Sequence, residues 1–381
     1  MIVADDGPDL DWTAPGVYRC APGVYRVPLP LPDDGLRAVN VYALADGAGW
    51  TLVDAGWALP QARDLLVAAL GALGCGLGDV RRFLVTHLHR DHYTQAVAVR
   101  REFGTPVLLG AAERPNLAAM NDPGRAPGAV HHARLMRAGA ADLARRLAER
   151  GTSGADADLW EEPDEWLSDG AEVAVGEGAP QAGRNGSDGP AARGGGPGGG
   201  AVSGGDRSGR APAPQRRLRA VATPGHTRGH VVFADDGAGL LFAGDHVLPR
   251  ITPSIGFEPA PPASPLADFL ASLQLVRAMP DAALLPAHGP VGRKVHERVD
   301  ELLDHHGHRL DATLAAVRDG HHTAREVAEV LTWTRRERRL AELDPFNMML
   351  AVLETAAHLD VLVARGALHG AVVDGVLRYT P

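Results

Sequence analysis

Cysteine is scarce in this chain, which argues against a fold held together by disulfides. Only Cys20 and Cys75 occur among 381 residues, a usage typical of free thiols in a reducing compartment. No uninterrupted apolar run approaches the roughly 18 residues that a membrane span needs. The start, MIVADDGPDLDW, also lacks the basic and apolar blocks of a signal peptide. We therefore expect a cytoplasmic protein that does not bind a membrane.

Positive charge is not in excess either. The formal net charge is −9, so the chain has no general attraction to nucleic acid or to anionic lipid. Hydrophobic residues make up 45% and charged residues 22% of the chain, which is ordinary for a globular protein. A chain of this length predicts one large domain and a smaller one.

The first two thirds of the chain mix strand and helix signals. Residues 51–110 alternate strand and helix, which predicts an α/β layout with parallel neighbouring strands. The hexapeptide APGVYR occurs at 14–19 and 21–26, and we expect only one copy in the main sheet. Residues 130–151 predict one amphipathic helix. The Gly- and Pro-rich segment 176–216 cannot bury enough apolar area to order itself, so we predict a disordered surface insertion there.

The last part of the chain is mostly helical. The pattern predicts helices over 295–319, 323–332 and 345–366, and the closing GALHGAVVDGVLRYTP predicts a β-hairpin. Three helices followed by a hairpin are the layout of a winged helix. We therefore divide the chain into a large α/β domain, 1–295, and a winged-helix-like domain, 296–381.

Metal-binding side chains are concentrated in THLHRDH, at 86–92. His87 and His89 alternate with a leucine, so both project from one side of an extended segment at a strand end. Asp91 and His92 follow at a predicted helix start. Such a turn can direct four side chains into a small volume.

Three later motifs fit the same pattern. TPGHTRGH contributes His226, FAGDH contributes Asp245, and PAHGP contributes His288. Each follows a short apolar strand and adjoins a Gly or Pro that ends it. The result is seven nitrogen or oxygen ligand candidates at the ends of four strands, a set that suits zinc, iron or manganese.

In this order and spacing, the four motifs resemble the metallo-β-lactamase superfamily, and within it the glyoxalase-II-like and lactamase-β-like hydrolases. The likeness covers roughly 20–295, with LVDAG at 52–56 as a further family-like strand and turn. Residues 296–381 resemble the winged-helix tail of the lactamase-β-like group. The resemblance implies an αββα four-layer sandwich with the metal site at one edge of its two sheets.

The resemblance also implies two divalent metal ions and a role for each ligand. Zinc is our first expectation, with iron and manganese open. One ion would be held by His87, His89 and His226, the second by Asp91, His92 and His288, and Asp245 would bridge the two. A shared hydroxide would attack a carbonyl or phosphoryl centre, and we expect Asp91 also to orient it and shuttle its proton.

Other polar residues near the motifs allow two interpretations each. Tyr93 and Arg228 are candidates for substrate contacts, against packing on a helix and an ordinary exposed loop arginine. His230 is a candidate to hydrogen-bond a ligand, against simple packing. We expect the histidines at 131–132 and in HHGH, 305–308, on solvated helix faces or turns.

These observations are compatible with three alternative functions. The first is a dinuclear metal hydrolase acting on a small substrate with an ester-type bond, with a thioester as the leading expectation. The second is a metal-dependent phosphodiesterase or ribonuclease, and the third is a non-catalytic regulatory binding protein. Residues 301–381 hold nine arginines against twelve acidic residues, a net of −3, whereas a DNA-binding wing should be basic. We expect the C-terminal domain to pack on the catalytic one, shape its pocket or form a homodimer contact.

Overall fold

The computed structural model describes residues 1–32, 35–124, 126, 128–150, 157–176 and 215–381. Most of the segment expected to be a disordered insertion, 177–214, lies outside the described residues.

An eight-stranded mixed sheet contains the first part of the chain, with its strands side by side in chain order. They are β1 (Val3–Asp5), β2 (Val17–Ala21), β3 (Val24–Pro30), β4 (Ala38–Asp46), β5 (Gly49–Val53), β6 (Val80–Val85), β7 (Val107–Gly110) and β8 (Glu165–Leu167). Strands β5 to β8 are parallel, which confirms the parallel layout predicted for residues 51–110. All nine residues of β4 are buried, because both faces of this sheet are covered.

The two copies of APGVYR correct one expectation. Both contribute to the first sheet, since Tyr18 and Arg19 of β2 pair with Arg26 and Tyr25 of β3 in an antiparallel ladder. The duplicated sequence therefore supplies two neighbouring strands rather than one.

A second sheet of five strands faces the first. Its strands are β9 (Glu172–Val175), β10 (Arg216–Ala222), β11 (Val231–Asp235), β12 (Leu240–Gly244) and β13 (Ala283–Pro286). The spatial order is β13-β12-β11-β10-β9. Strand β11 is antiparallel to both neighbours and β13 is parallel to β12, so β10, β12 and β13 all end at one edge. At the opposite edge Val175, the last residue of β9, pairs with Arg216, the first of β10.

Helices cover the outer faces of both sheets. The helices of the described residues are α1 (Pro60–Ala72), α2 (Arg90–Phe103), α3 (Arg114–Met120), α4 (Ala129–Arg137), α5 (Ala141–Arg150), α6 (Pro265–Ala278), α7 (Val295–Arg318), α8 (Ala324–Val330) and α9 (Pro345–Ala364). Leu66 of α1 and Val97 of α2 pack on the first sheet, and Phe269 of α6 packs on the second. Leu84 and Phe233 belong to the core between the sheets. This is the αββα order that the resemblance implies.

The single helix predicted over 130–151 is two helices. Helix α4 ends at Arg137 and α5 begins at Ala141. Gly139 between them has a φ of 80°, a left-handed conformation that stops a helix and that glycine adopts without a Cβ clash. The amphipathic pattern on both sides was correct, but the glycine was not recognised as a helix end.

The C-terminal region contains α7, α8, α9 and a two-stranded sheet, β14 (His369–Val373) and β15 (Val376–Thr380). Among the described helices, α9 is long and apolar enough by length and composition to cross a membrane. Most of it is buried, however, and residues such as Val352 and Leu359 lie in the same core cluster as Phe269. This helix packs against α5, α6, α7 and α8.

Candidate metal centre

The strand ends that carry the motifs meet at one edge of the sandwich. Strands β5, β6 and β7 end there in the first sheet, and β10, β12 and β13 in the second. Backbone hydrogen bonds join the two edges: the Val231 amide donates to the Thr86 carbonyl at 2.8 Å, and the Asn40 amide donates to the Ala287 carbonyl at 2.7 Å. The motif residues just beyond these strands are therefore close in space although they are far apart in sequence.

The first group of side chains comprises His87, His89, His226 and Asp245, with one ligand atom of each within 4.8 Å of the others. His89 Nδ1 is 2.9 Å from His87 Nε2 and 3.2 Å from His226 Nε2. Asp245 Oδ2 lies 3.4 Å from His226 Nε2. Three imidazoles and a carboxylate oxygen thus face one point.

The second group comprises Asp91, His92 and His288. Asp91 Oδ2 lies 3.4 Å from the Nε2 atoms of both histidines. The remaining oxygen of Asp245, Oδ1, is 3.3 Å from His288 Nε2 and 3.8 Å from His92 Nε2. The structure therefore brings all seven predicted ligand candidates together, with the Asp245 carboxylate between the two groups.

Three atoms of this cluster indicate that the residues fit metal ions. His92 Nε2, His288 Nε2 and Asp245 Oδ1 are buried and have no hydrogen-bond partner among the described residues. Buried polar atoms are normally hydrogen-bonded. Imidazole nitrogens and carboxylate oxygens are the donors that zinc and related divalent ions prefer, so cations would satisfy all three atoms.

Backbone carbonyls fix the orientation of two of the imidazoles. His226 Nδ1 donates to the Ser254 carbonyl at 2.8 Å, and His288 Nδ1 donates to the Ala38 carbonyl at 2.7 Å. Because a carbonyl can only accept, the proton of each neutral ring is on Nδ1, and the lone pair of Nε2 points into the cluster.

Asp54 performs the same task for two further rings, and the sequence analysis did not identify it. Its Oδ2 is 2.9 Å from His92 Nδ1, and its Oδ1 accepts from the Thr86 amide at 2.8 Å. The Thr86 hydroxyl lies 3.0 Å from His87 Nδ1. Asp54 has a φ of 59°, a conformation that is uncommon outside glycine and often marks a functional site. The LVDAG motif that contains it was the available signal.

Burial keeps the first group of histidines neutral. It lowers the pKa of His89 to about 3 and of His226 to about 4, and it moves the pKa of His87 well below its ordinary value. Neutral imidazole is the form that binds metal, so these rings are in the ligand form at pH 7.

The second group has the opposite electrostatic character. Burial disfavours a charged His92, but the carboxylates of Asp91 and Asp54 outweigh burial and raise its pKa well above the ordinary value. Asp245 and Asp91 likewise overcome burial and raise the pKa of His288. The carboxylates therefore favour positive charge at this position, which a metal ion would supply in place of protons.

His230 contacts Asp245 through the backbone. The Asp245 amide donates to His230 Nε2 at 3.2 Å, and His230 Nδ1 lies 2.8 Å from the Thr223 hydroxyl. Gly244 permits this close approach. A Cβ there would lie 2.7 Å from His230 Nε2 and 2.8 Å from Thr86 Cβ. His230 thus holds the backbone that carries the carboxylate between the two groups.

A buried network of carboxylates supports the His226 turn, and no sequence motif predicted it. Asn116 Nδ2 donates to Glu113 Oε2 at 2.6 Å and to Glu258 Oε2 at 2.7 Å. The Thr227 hydroxyl donates to Glu113, and the Arg228 amide donates to Glu258 Oε2 at 2.9 Å. Burial raises the pKa of Glu258 to about 7 and also raises the pKa of Glu113.

The two candidate substrate contacts have different positions. Tyr93 is fully buried in the core on the outer face of the first sheet, and its hydroxyl donates to the Glu161 carbonyl at 2.6 Å. This corrects the expectation that Tyr93 contacts substrate, because its phenol already has a partner away from the cluster. Arg228 is half-buried, and its Nη1 donates to the Ala260 carbonyl at 3.0 Å, which ties the loop before α6 to the His226 turn.

The sandwich and the histidine–aspartate cluster define a metal-binding hydrolase. The family model of the metallo-beta-lactamase superfamily matches residues 34–288, and this chain belongs to that superfamily. Members typically bind divalent metal ions, in agreement with the cluster.

Two solved structures are similar over nearly their full length. One is a metallo-beta-lactamase family protein from Thermus thermophilus, with 27% identity and a TM-score of 0.69, covering 95% of this chain and 99% of that one. The other is a beta-lactamase domain protein from Burkholderia ambifaria, with 27% identity and a TM-score of 0.74, covering 98% and 97%.

Curated relatives match over shorter segments. A beta-lactamase-like protein 2 homolog from Caenorhabditis elegans is 38% identical over 88 residues, which are 23% of this chain and 27% of that protein. An atrochrysone carboxyl ACP thioesterase from Aspergillus fumigatus is 28% identical over 101 residues, 26% of this chain and 22% of that protein. The chain thus matches only about a quarter of these relatives.

Proposed function

We propose that this protein is a dinuclear metal-dependent hydrolase that cleaves a small ester-type bond, with a thioester as its substrate class. The observation that carries the proposal is the position of Asp245. One of its oxygens faces His226 in the first group, and the other faces His288 in the second. A carboxylate between two sets of donors is what a pair of cations about 3.5–4 Å apart requires.

The proposed ligand sets follow the two groups, with zinc as the proposed metal. His87, His89 and His226 would hold the first ion, and Asp91, His92 and His288 would hold the second. Asp245 would be available to both. When bound, such ions lower the pKa of a coordinated water to about 7 and polarise the oxygen of the scissile carbonyl.

The side chains of the protein supply orientation and a proton site. Asp91 has the most exposed carboxylate of the cluster, at 14% of its side-chain surface against 8% for Asp245. Its place at the solvent-facing side suits it to orient the attacking water and to hold its proton. Ser254 and Ala38 keep the rings of His226 and His288 in their binding tautomers through carbonyl hydrogen bonds.

An aromatic wall beside the cluster supports an acyl substrate. The Phe257 ring lies 6.3 Å from the ring of His89. The ring of His131 stacks on Phe257 at 4.6 Å, and the ring of Phe346 meets it edge-on at 5.4 Å. Phe346 is 46% exposed. An apolar acyl chain or ring would bury these faces, and the likeness to a thioesterase agrees with this substrate class.

We further propose that residues 296–381 form a winged-helix-like domain that shapes the pocket rather than binding nucleic acid. Phe346, in the first turn of α9, brings this region to Phe257. The acidic balance of 301–381, nine arginines against twelve Asp and Glu, weighs against a phosphate-binding role.

The test is hydrolysis by the purified full-length chain. Protein stripped with a chelator is reloaded with zinc, iron or manganese and assayed against acyl thioesters, lactones and single-stranded RNA. We expect thioester hydrolysis that depends on metal, is abolished by His89→Ala with the fold retained, and is unchanged by His132→Gln on the exposed face of α4. Cleavage of RNA alone, or no metal-dependent hydrolysis of any substrate, would overturn the proposal.

A further inference from the structure

A second group of metal-binding side chains lies between α7 and α9, remote in sequence from the motifs described above. His305 and His306 are on α7, and Glu354 is on α9. One ligand atom of each lies within 4.8 Å of the others. His306 is fully buried, which corrects the expectation that all of HHGH faces solvent.

The hydrogen bonds around His306 assign its proton. His358 Nδ1 lies 2.8 Å from the Glu354 backbone carbonyl. A carbonyl only accepts, so this nitrogen carries the proton of His358. Both rings are fully buried, and burial favours the neutral form of an imidazole. The bare Nε2 of His358 must therefore accept from His306 Nδ1, 3.2 Å away.

These hydrogen bonds leave the lone pair of one nitrogen, His306 Nε2, without a partner among the described residues. With its proton on Nδ1, His306 has a bare Nε2, which is buried and has no hydrogen-bond partner among the described residues. The same combination marks His288 in the metal centre, where Nδ1 donates to the Ala38 carbonyl and Nε2 is unpartnered. In both rings Nδ1 is held by a hydrogen bond, and a metal ion would bind the unpaired electrons of Nε2.

The neighbouring charges suit a cation of particular chemistry. The Glu354 carboxylate brings a negative charge to this group, and a bound cation would pair with it. Arg309 does not fill that role completely, because its Nη1 donates to the Thr332 carbonyl and its guanidinium lies 4.3 Å from the ring centre of Trp333. With two imidazoles and one carboxylate as donors, the group suits a transition-metal ion such as zinc better than magnesium or calcium, which prefer oxygen ligands.

We propose that His305, His306 and Glu354 bind a further divalent transition-metal ion such as zinc, separate from the hydrolase centre, with His358 orienting His306. The site joins α7 to α9 and so stabilises the packing of the C-terminal helices. It is independent of the proposed substrate.

Metal content of the full-length protein tests the site. Chelator-treated wild type, Glu354→Gln and His305→Gln are dialysed against dilute zinc and then zinc-free buffer, and zinc per chain is measured by elemental analysis. His308→Gln, an exposed change on α7, is the matched control. We expect each of the two ligand variants to hold about one ion fewer than the wild type, and the control to hold the wild-type number.

Thermal unfolding provides the second readout, because an ion that binds only the folded state raises Tm. The rise in Tm on adding zinc should be smaller in Glu354→Gln than in His308→Gln. A cooperative unfolding transition measured before zinc is added also shows that both variants are folded. Equal zinc content and equal Tm responses in the wild type and both ligand variants would overturn the proposal, whatever the hydrolytic activity.

Discussion

Replacing Glu258 with glutamine should change how stability depends on pH. Glu258 is 1% exposed, and burial raises its pKa from 4.5 to about 7, against the lowering effect of hydrogen bonds from Asn116 and Arg228. Glutamine keeps an acceptor oxygen for both donors and cannot ionise. The substitution therefore removes the titration and leaves the hydrogen bonds in place.

The sign and size follow from the two pKa values. Between pH 4.5 and about 7 the unfolded chain loses the Glu258 proton while the folded protein keeps it, so stability falls as pH rises. A change from 4.5 to about 7 corresponds to about 3 kcal/mol at most. The free energy of unfolding of Glu258→Gln, minus that of the wild type, should therefore rise by up to about 3 kcal/mol from pH 4.5 to pH 8.

Urea unfolding at matched pH values measures this difference. Metal-linked protons affect both proteins alike, so they cancel when the two are compared in the same zinc-containing buffer. Glu162→Gln, at an exposed position, is the matched control for the loss of one acidic side chain. A difference for Glu258→Gln that changes with pH no more than that of the control would refute the account of this buried carboxylate.

Three further predictions, one of them with a matched control substitution, test other contacts. Asp54→Asn should weaken metal binding by about 10- to 100-fold, measured by competition with a chromophoric chelator, because the carboxylate that orients His92 is lost; an unchanged affinity would contradict this role. Gly225→Ala should destabilise by more than about 2 kcal/mol in urea unfolding, since φ is +137° and the new Cβ would lie 2.4 Å from Phe269 Cα; Gly74→Ala, at φ +79° with open space around it, should cost only about 1 kcal/mol. If the substrate is an acyl thioester, Phe346→Ala should raise KM severalfold with little change in kcat, and an unaltered KM would remove Phe346 from the pocket.

The sequence predicted the ligand candidates because their signal is local. Each of His226, Asp245 and His288 follows a short apolar strand, and the strand end alone determines where such a residue emerges. The contact of Asp54 with Thr86 and His92 was not predictable in the same way. It depends on β5 lying parallel to β6 in a particular register, which no short motif encodes.

The structure also differs from the sequence-based predictions where one sequence pattern is compatible with two structures. Tyr93 lies on an amphipathic helix beside the ligand candidates. The periodicity of α2 was compatible both with packing in the core and with a substrate contact. His306 and His308 lie in the same HHGH stretch, yet only the packing of α9 determines which of them is buried. The network joins Asn116, Glu258 and Thr227, which lie in three segments with no common motif, so only coordinates reveal it.

The pairing of Val175 with Arg216 has a practical consequence for protein engineering. These residues flank the long Gly- and Pro-rich stretch. They pair at the first residue of β10, whereas His226 follows the other end of that strand. Shortening that stretch, or inserting a tag or reporter into it, should therefore leave the arrangement of the histidine–aspartate cluster unchanged.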